Sequence, residues 1–321
     1  MSDNPTTKYL RYSLLQGSEA MQRSIKLISP FLKGIIPPLI TPFDEKGELD
    51  ETRIRKEISI LLEAGVDGIS PGGSTGEGAA LDDDEIVRII SIVREMDARI
   101  PIVAGVIRNS TKAAVRTALL AKDAGANALM VTPVSYNVLV PDEEGNFQFY
   151  KEIGEKTGLP IVIYNVVPQN TISATLFSRL LEIPEVDGIK QSVGGISAFY
   201  EMKMACGEKG KIFSATDEML ASTFQLGADG AISAILTVFP DLCVEMWNLT
   251  RQGKYDESLA IQNRVYSTWK AIAGNQFPIR IKYALQLMGR DPGYPRSPIC
   301  NMSDVEKESI QTALQKAALI A

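Results

Sequence analysis

The sequence predicts an α/β protein, a (β/α)8 (TIM) barrel with a C-terminal helical extension. Three observations carry that expectation. From Gly34 onward, short apolar β-rich runs alternate with longer segments of helical period, making eight units in about 220 residues. A glycine pattern recurs as AGVDGIS at 64–70, AGANALM at 124–130 and GADGAIS at 227–233, each first glycine closing a helix just before a short turn into a strand. The GxGxxG turn of a doubly wound dinucleotide-binding sheet is missing.

In chain order the strands are expected at 35–41, 67–71, 102–107, 128–132, 160–165, 186–190, 211–214 and 229–234. The intervening helices are expected at 51–64, 83–97, 112–124, 146–157, 173–182, 196–207, 217–226 and 239–251. In the first of them, Ile54, Ile58, Leu61 and Leu62 fall at i, i+4, i+7 and i+8, one face of a helix. Beyond residue 251 the strands stop, and 254–273, 278–289 and 303–320 read as three further helices. The expected organisation is therefore an N-terminal extension (1–33), the barrel (34–251) and a C-terminal helical region (252–321). The extension carries Lys8, Arg11, Arg23, Lys26 and Lys33 against only Asp3 and Glu19. It reads as a variable segment that packs on the body, or as an organelle transit peptide.

Composition narrows the chemistry. Histidine is absent from all 321 residues, which excludes Ser-His-Asp and Cys-His nucleophile systems, His-ligated metals and an imidazole base. A net charge of −6 with no basic run argues against a nucleic-acid partner. No apolar run reaches the ~18 residues of a membrane span. Cys206, Cys243 and Cys300, with no CxxC pair, read as reduced thiols of a cytoplasmic protein and suggest no metal site.

Barrels of this kind carry their chemistry at the C-terminal ends of the strands. Those ends are Thr41, the loop 72–77, Arg108, Thr132, Tyr164, Lys190 to Ser192, Asp217 and Ser233. Lys190 closes the run Val186-Asp187-Gly188-Ile189. Burial disfavours an ammonium relative to its neutral amine, and a neutral amine attacks carbonyls to form a Schiff base. The alternative is a lysine that reaches solvent or pairs with an acid. Tyr164 ends the neighbouring strand, where a phenol can shuttle protons or simply complete the core. Gly72-Gly73-Ser74-Thr75-Gly76-Glu77 offers successive N–H groups and two hydroxyls, a nest for a carboxylate or a plain tight turn.

Together with Thr41-Pro42-Phe43, Val131-Thr132-Pro133, Ile163-Tyr164-Asn165-Val166, Gly188-Ile189-Lys190 and the GADGAIS run, these residues resemble one family. It is the dihydrodipicolinate synthase / N-acetylneuraminate lyase group of class I aldolases, and the resemblance spans roughly 34–290. The resemblance implies a TIM barrel with C-terminal helices, assembled as a homotetramer, a dimer of dimers. It implies pyruvate, or another 2-oxo acid, held as an imine on Lys190, with Tyr164 as acid/base and Ser74 in the proton relay. No cofactor beyond that covalent imine is implied. The resemblance also implies that Ser74 and Thr75 bind the carboxylate, and Thr41, Gly73 and Ile232 complete the substrate-side candidates.

Departures from the family pattern bear on the aldehyde. Dihydrodipicolinate synthases read Pro-Tyr-Tyr-Asn after strand four, the second tyrosine entering a partner's site. Here the chain reads Pro133-Val134-Ser135-Tyr136-Asn137. Asn170 stands near the place of their carboxylate-binding arginine. Arg108 is a candidate replacement or an ordinary loop arginine. Ser192 and Asp217 resemble positions where N-acetylneuraminate lyase holds its hydroxylated chain, although Asp217 could equally cap a helix. The expected activity is Schiff-base condensation or cleavage of a 2-oxo acid with an aldehyde. The alternatives are a genuine 4-hydroxy-tetrahydrodipicolinate synthase, a sugar-acid lyase, or a non-catalytic barrel that binds 2-oxo acids.

Overall fold

The computed structural model describes residues 29–299 and 301–320. Seven parallel strands form one curled sheet in the order β1-β7-β6-β5-β4-β3-β2. They are β1 (Gly34–Ile35), β2 (Val103–Val106), β3 (Ala128–Val131), β4 (Ile161–Asn165), β5 (Val186–Gln191), β6 (Lys211–Ser214) and β7 (Gly230–Ala231). Segment 67–71 fills the space between β1 and β2. On one side Asp67 donates its N–H to the Ile35 carbonyl (2.8 Å) and Ser70 to that of Pro37 (2.9 Å). On the other, Ile69 donates to the Pro101 carbonyl (2.9 Å) and accepts from the Val103 N–H (3.0 Å). The sheet is thereby closed into a TIM barrel of eight staves.

The first two staves are shorter than the expected strands 35–41 and 67–71. Pro37 and Pro38 lack the N–H a ladder requires, so the pairing there reduces to a single bridge, Pro38 to Ser70. The last stave, Gly230–Ala231, also stops short of the expected 229–234.

The helices are α1 (Glu51–Glu63), α2 (Asp83–Met96), α3 (Thr111–Asp123), α4 (Glu143–Thr157), α5 (Ala174–Leu180), α6 (Gly195–Cys206), α7 (Leu220–Gln225), α8 (Ile235–Val238), α9 (Pro240–Arg251), α10 (Tyr255–Ile272), α11 (Phe277–Leu287) and α12 (Asp304–Lys316). Gly65, Gly125 and Gly227, just past α1, α3 and α7, have φ of +76°, +106° and +86°, the left-handed exit that the recurring motif implied. Helix α4 starts at 143 rather than the expected 146 because the Asp142 carboxylate caps it, accepting from the Gly145 N–H at 2.8 Å.

Side chains alternate across the barrel wall. Ile161, Ile163 and Ile189 face the helices in the outer core. Val103, Ala128, Met130, Val162, Phe213 and Ile232 fill the interior. Leu32 joins that interior from below, and the Ser29 N–H donates to Asp187 at 2.8 Å, so residues 29–33 pack on the barrel. The remainder of the expected extension, 1–28, and Cys300 lie outside the described residues; Cys206 and Cys243 are buried. Among the described residues no helix is long and apolar enough to cross a membrane.

Gly105, in the middle of β2, lies against the backbone that begins the loop 72–77. A Cβ there would sit 2.3 Å from the Gly72 carbonyl oxygen and 2.7 Å from the Gly73 nitrogen. Gly105→Ala is therefore expected to displace that loop and cost about 2–3 kcal/mol of stability, read as a lower urea midpoint at unchanged slope.

Candidate active site

Strands β4 and β5 pair in register, so Tyr164 stands directly beside Lys190. Both belong to the inward-facing set, two residues beyond Val162 and Gly188, at the last turn of the pleat before the strands end. Lys190 is 4% exposed and Tyr164 6%. The Lys190 Nζ lies 3.6 Å from the centre of the Tyr164 ring. The Tyr164 hydroxyl donates to Ser74 Oγ at 3.3 Å. Three side chains from three separate strand ends thus form a continuous line.

Ser74 and Thr75 open a short 3-10 turn, Ser74–Gly76, that follows Gly73. The Gly76 and Gly78 N–H groups bond back to the Gly73 carbonyl at 3.0 and 2.9 Å, which ties the turn to itself. Thr41 does not face the cavity. It is buried, and its hydroxyl donates to the Gly76 carbonyl at 2.7 Å, bracing the turn from behind.

A cavity of about 210 Å³ opens above Lys190, with Thr75, Tyr164, Ser192, Asp217 and Ser233 in its wall. The Ser192 Oγ is buried without a partner. Asp217 accepts a hydrogen bond from the Ser233 hydroxyl and one from the Ile235 N–H at 2.8 Å. Burial pushes its carboxyl up to about 6, against the pull of those two donors and of Lys190. Ile232 is fully buried in the interior layer and is not part of the cavity wall. A larger hollow of about 950 Å³ lies between α10 and α12 and shares no lining residue with this cavity.

Two candidates turn away from the cavity. Asn170 is buried in an amide pair, accepting from Asn146 Nδ2 at 2.8 Å and donating to the Val134 carbonyl at 3.1 Å. Arg108 is spent on Asp83 (3.0 Å), Thr117 (3.1 Å) and the carbonyls of Ile107 and Leu81. Tyr136 is 59% exposed and lies outside the cavity wall. None of the residues lining the cavity is an arginine.

The roof escaped the sequence reading. Trp269 and Ala273 at the end of α10, Gly274 between the helices and Phe277 at the start of α11 close the cavity from above. The signal available was faint: a tryptophan on a buried helical stripe near the break Ala273-Gly274-Asn275, with nothing local to say which site it covers. Among the described residues no cluster of three or more His, Cys, Asp or Glu side chains is placed to hold a metal ion.

The chain as a whole is similar to known proteins. A 4-hydroxy-tetrahydrodipicolinate synthase of Thermodesulfovibrio yellowstonii is 35% identical over 292 residues, 90% of this chain and 99% of that protein. The crystal structure of a dihydrodipicolinate synthase from Acinetobacter baumannii complexed with pyruvate superposes with a TM-score of 0.84 at 31% identity, covering 90% of this chain and all of that one. N-acetylneuraminate lyase from Fusobacterium nucleatum superposes with a TM-score of 0.81 at 27% identity, covering 91% of this chain and all of that one. Residues 31–317 match the dihydrodipicolinate synthetase family across both barrel and C-terminal helices, and the chain belongs to that family of class I pyruvate aldolases.

Proposed function

We propose that this enzyme makes or breaks a carbon–carbon bond of a hydroxylated 2-oxo acid through an imine on Lys190. The observation that carries the reading is the buried line from the Lys190 amine, over the Tyr164 ring, to the Ser74 hydroxyl. In the cleavage direction the Lys190 amine adds to the C2 ketone, and the carbinolamine loses its hydroxyl as water on a proton from Tyr164, which is left as a phenolate. The protonated imine then draws the electron pair of the C3–C4 bond, leaving an enamine, while the C4 hydroxyl passes its proton to Tyr164. An aldehyde departs. Protonation at C3 and hydrolysis release pyruvate and restore the amine. Condensation is the reverse. Tyr164 serves as acid and base, with Ser74 next in the relay and the Ser74–Thr75 turn holding the carboxylate.

The distal wall supports a polyhydroxylated aldehyde. Ser192 offers an unused hydroxyl, and Asp217 and Ser233 add polar groups that suit sugar hydroxyls. A second reading, true 4-hydroxy-tetrahydrodipicolinate synthase, is favoured by the name of the 35% identical relative. It requires a cation for the carboxylate of aspartate semialdehyde. Asn170 and Arg108 are committed elsewhere, and an acidic Asp217 in the wall opposes a second carboxylate.

Pyruvate with borohydride is expected to add a stable mass increment to Lys190; absence of an increment with pyruvate and with every 2-oxo acid tried defeats the imine reading. Tight pyruvate binding unaffected by Lys190→Ala would instead support a non-catalytic barrel. Tyr164→Phe should retain the fold and lower kcat by roughly 100- to 10,000-fold. In competition assays, sugar-derived 2-oxo acids should turn over faster than aspartate semialdehyde with pyruvate.

Asp217 also sets a pH dependence. Its folded value of about 6 lies above the ordinary 3.8, so the folded state binds the proton more tightly and stability falls as pH rises from about 4 to 6. Asp217→Asn removes that penalty while keeping an acceptor for Ser233 and Ile235. Relative to the parent, its stability should rise across that window by up to about 3 kcal/mol and level off above it, measured as the difference in urea midpoints.

A further inference from the structure

A buried ion pair lies behind the carboxylate-binding turn and takes no part in the chemistry above. Lys282, on α11, and Glu77, at the end of the turn, each have a side chain only 3% exposed, and their charged atoms are 2.7 Å apart. The Lys282 ammonium spends its three protons on Glu77 Oε1, the Thr41 carbonyl (2.7 Å) and the Tyr294 carbonyl (2.6 Å). The second Glu77 oxygen accepts from the Arg296 N–H at 2.8 Å.

Glu77 occupies an uncommon backbone conformation. Its φ of +56° and ψ of +31° are left-handed, which costs a non-glycine residue about 1 kcal/mol or more. Such strain persists where the surroundings over-determine it. Here the Glu77 N–H closes the turn on the Ser74 carbonyl at 3.1 Å. Thr41, whose carbonyl Lys282 holds, donates its hydroxyl to Gly76. Lys282 therefore grips both anchors of the turn that presents Ser74 and Thr75, one through Glu77 and one through Thr41. The same helix begins at Phe277, which roofs the cavity.

Desolvation offsets most of what a buried ion pair gains in Coulomb energy, so this pair is poorly explained as a device for stability alone. We propose that Lys282 and Glu77 are positioning residues: they hold the Ser74–Thr75 turn in the geometry that receives the carboxylate of the 2-oxo acid, and they lock that turn to the helix that roofs the site. The proposal rests on the reading that Ser74 and Thr75 take that carboxylate.

The experiment is reductive trapping of pyruvate on Lys190 as a function of pyruvate concentration, with melting temperature recorded for each protein. The variants are Glu77→Gln, the charge-free pair Glu77→Gln/Lys282→Met, and Thr41→Val, which removes only the hydroxyl bond to Gly76. The expected result is a half-saturating pyruvate concentration raised about 10-fold in the charge variants, equal to about 1.4 kcal/mol, with the trapping rate at saturation within about threefold of the parent. Thr41→Val should raise it by a smaller factor in the same direction. A purely structural pair would lower the melting temperature and the folded fraction while leaving half-saturation unchanged, and that outcome overturns the proposal. Should the charge variants fail to fold, Thr41→Val decides, since an unchanged half-saturation there also overturns it. A parent protein that traps no 2-oxo acid removes the underlying reading, and the proposal with it; a parent that traps normally beside unaltered variants removes the proposal alone.

Discussion

The parallel register of β4 with β5 sets Tyr164 beside Lys190, and most of what this protein can do depends on that pairing. Alternation along a strand sends every second side chain into the barrel. Below the pair, that rule delivers Val162, Ala128 and Met130 to a dry interior. At the strand ends the same rule delivers an amine and a phenol, and the wall that packs the core also buries both. A shift of one residue in β5 would exchange Lys190 for Ile189 or Gln191 and put the amine among the helices.

Polar groups around this pair are used with economy. Asn165 and Gln191, the outward neighbours of Tyr164 and Lys190, bond to each other at 2.9 Å, and Asn165 also holds Ile172. The strand ends are thus braced on the face away from the cavity. Glu77 and Lys282 brace the opposite side, from the turn to α11. Between these braces the cavity keeps a hydroxyl on Ser192 without a protein partner and a carboxylate on Asp217 whose charge burial resists. Unsatisfied or perturbed groups in a cleft are characteristic of a site built for a ligand.

The legible part of the fold was the part governed by local rules. Apolar runs such as 128–132 and 186–190 became β3 and β5 within a residue, and the helices following them ended at the glycines that can adopt positive φ. Pro37 and Pro38 fall inside the expected strand 35–41 and lack the N–H groups of a ladder, which there shrinks to a bridge. Of the candidates at strand ends, Tyr164, Lys190, Ser192, Asp217 and Ser233 line one cavity, because position along a barrel strand implies direction, whereas Thr41 turns behind the loop 72–77. Asn170 and Arg108 do not reach the cavity, since their side chains are claimed by Asn146 and Asp83, partners some 25 residues away in the chain.

What the sequence determined by itself is the chemistry allowed: no imidazole, an amine at one strand end, a phenol at the next and a glycine-rich turn two hydroxyls long. Residue types and strand period are local properties, and they suffice for that much. The tertiary structure alone decided which of these groups meet and what encloses them. Trp269 and Phe277 come to the cavity from about 80 residues beyond Lys190, and Lys282 reaches Glu77 from the same C-terminal helices. Contacts over such separations follow from how the helices dock on the closed barrel, a packing outcome that no local pattern encodes.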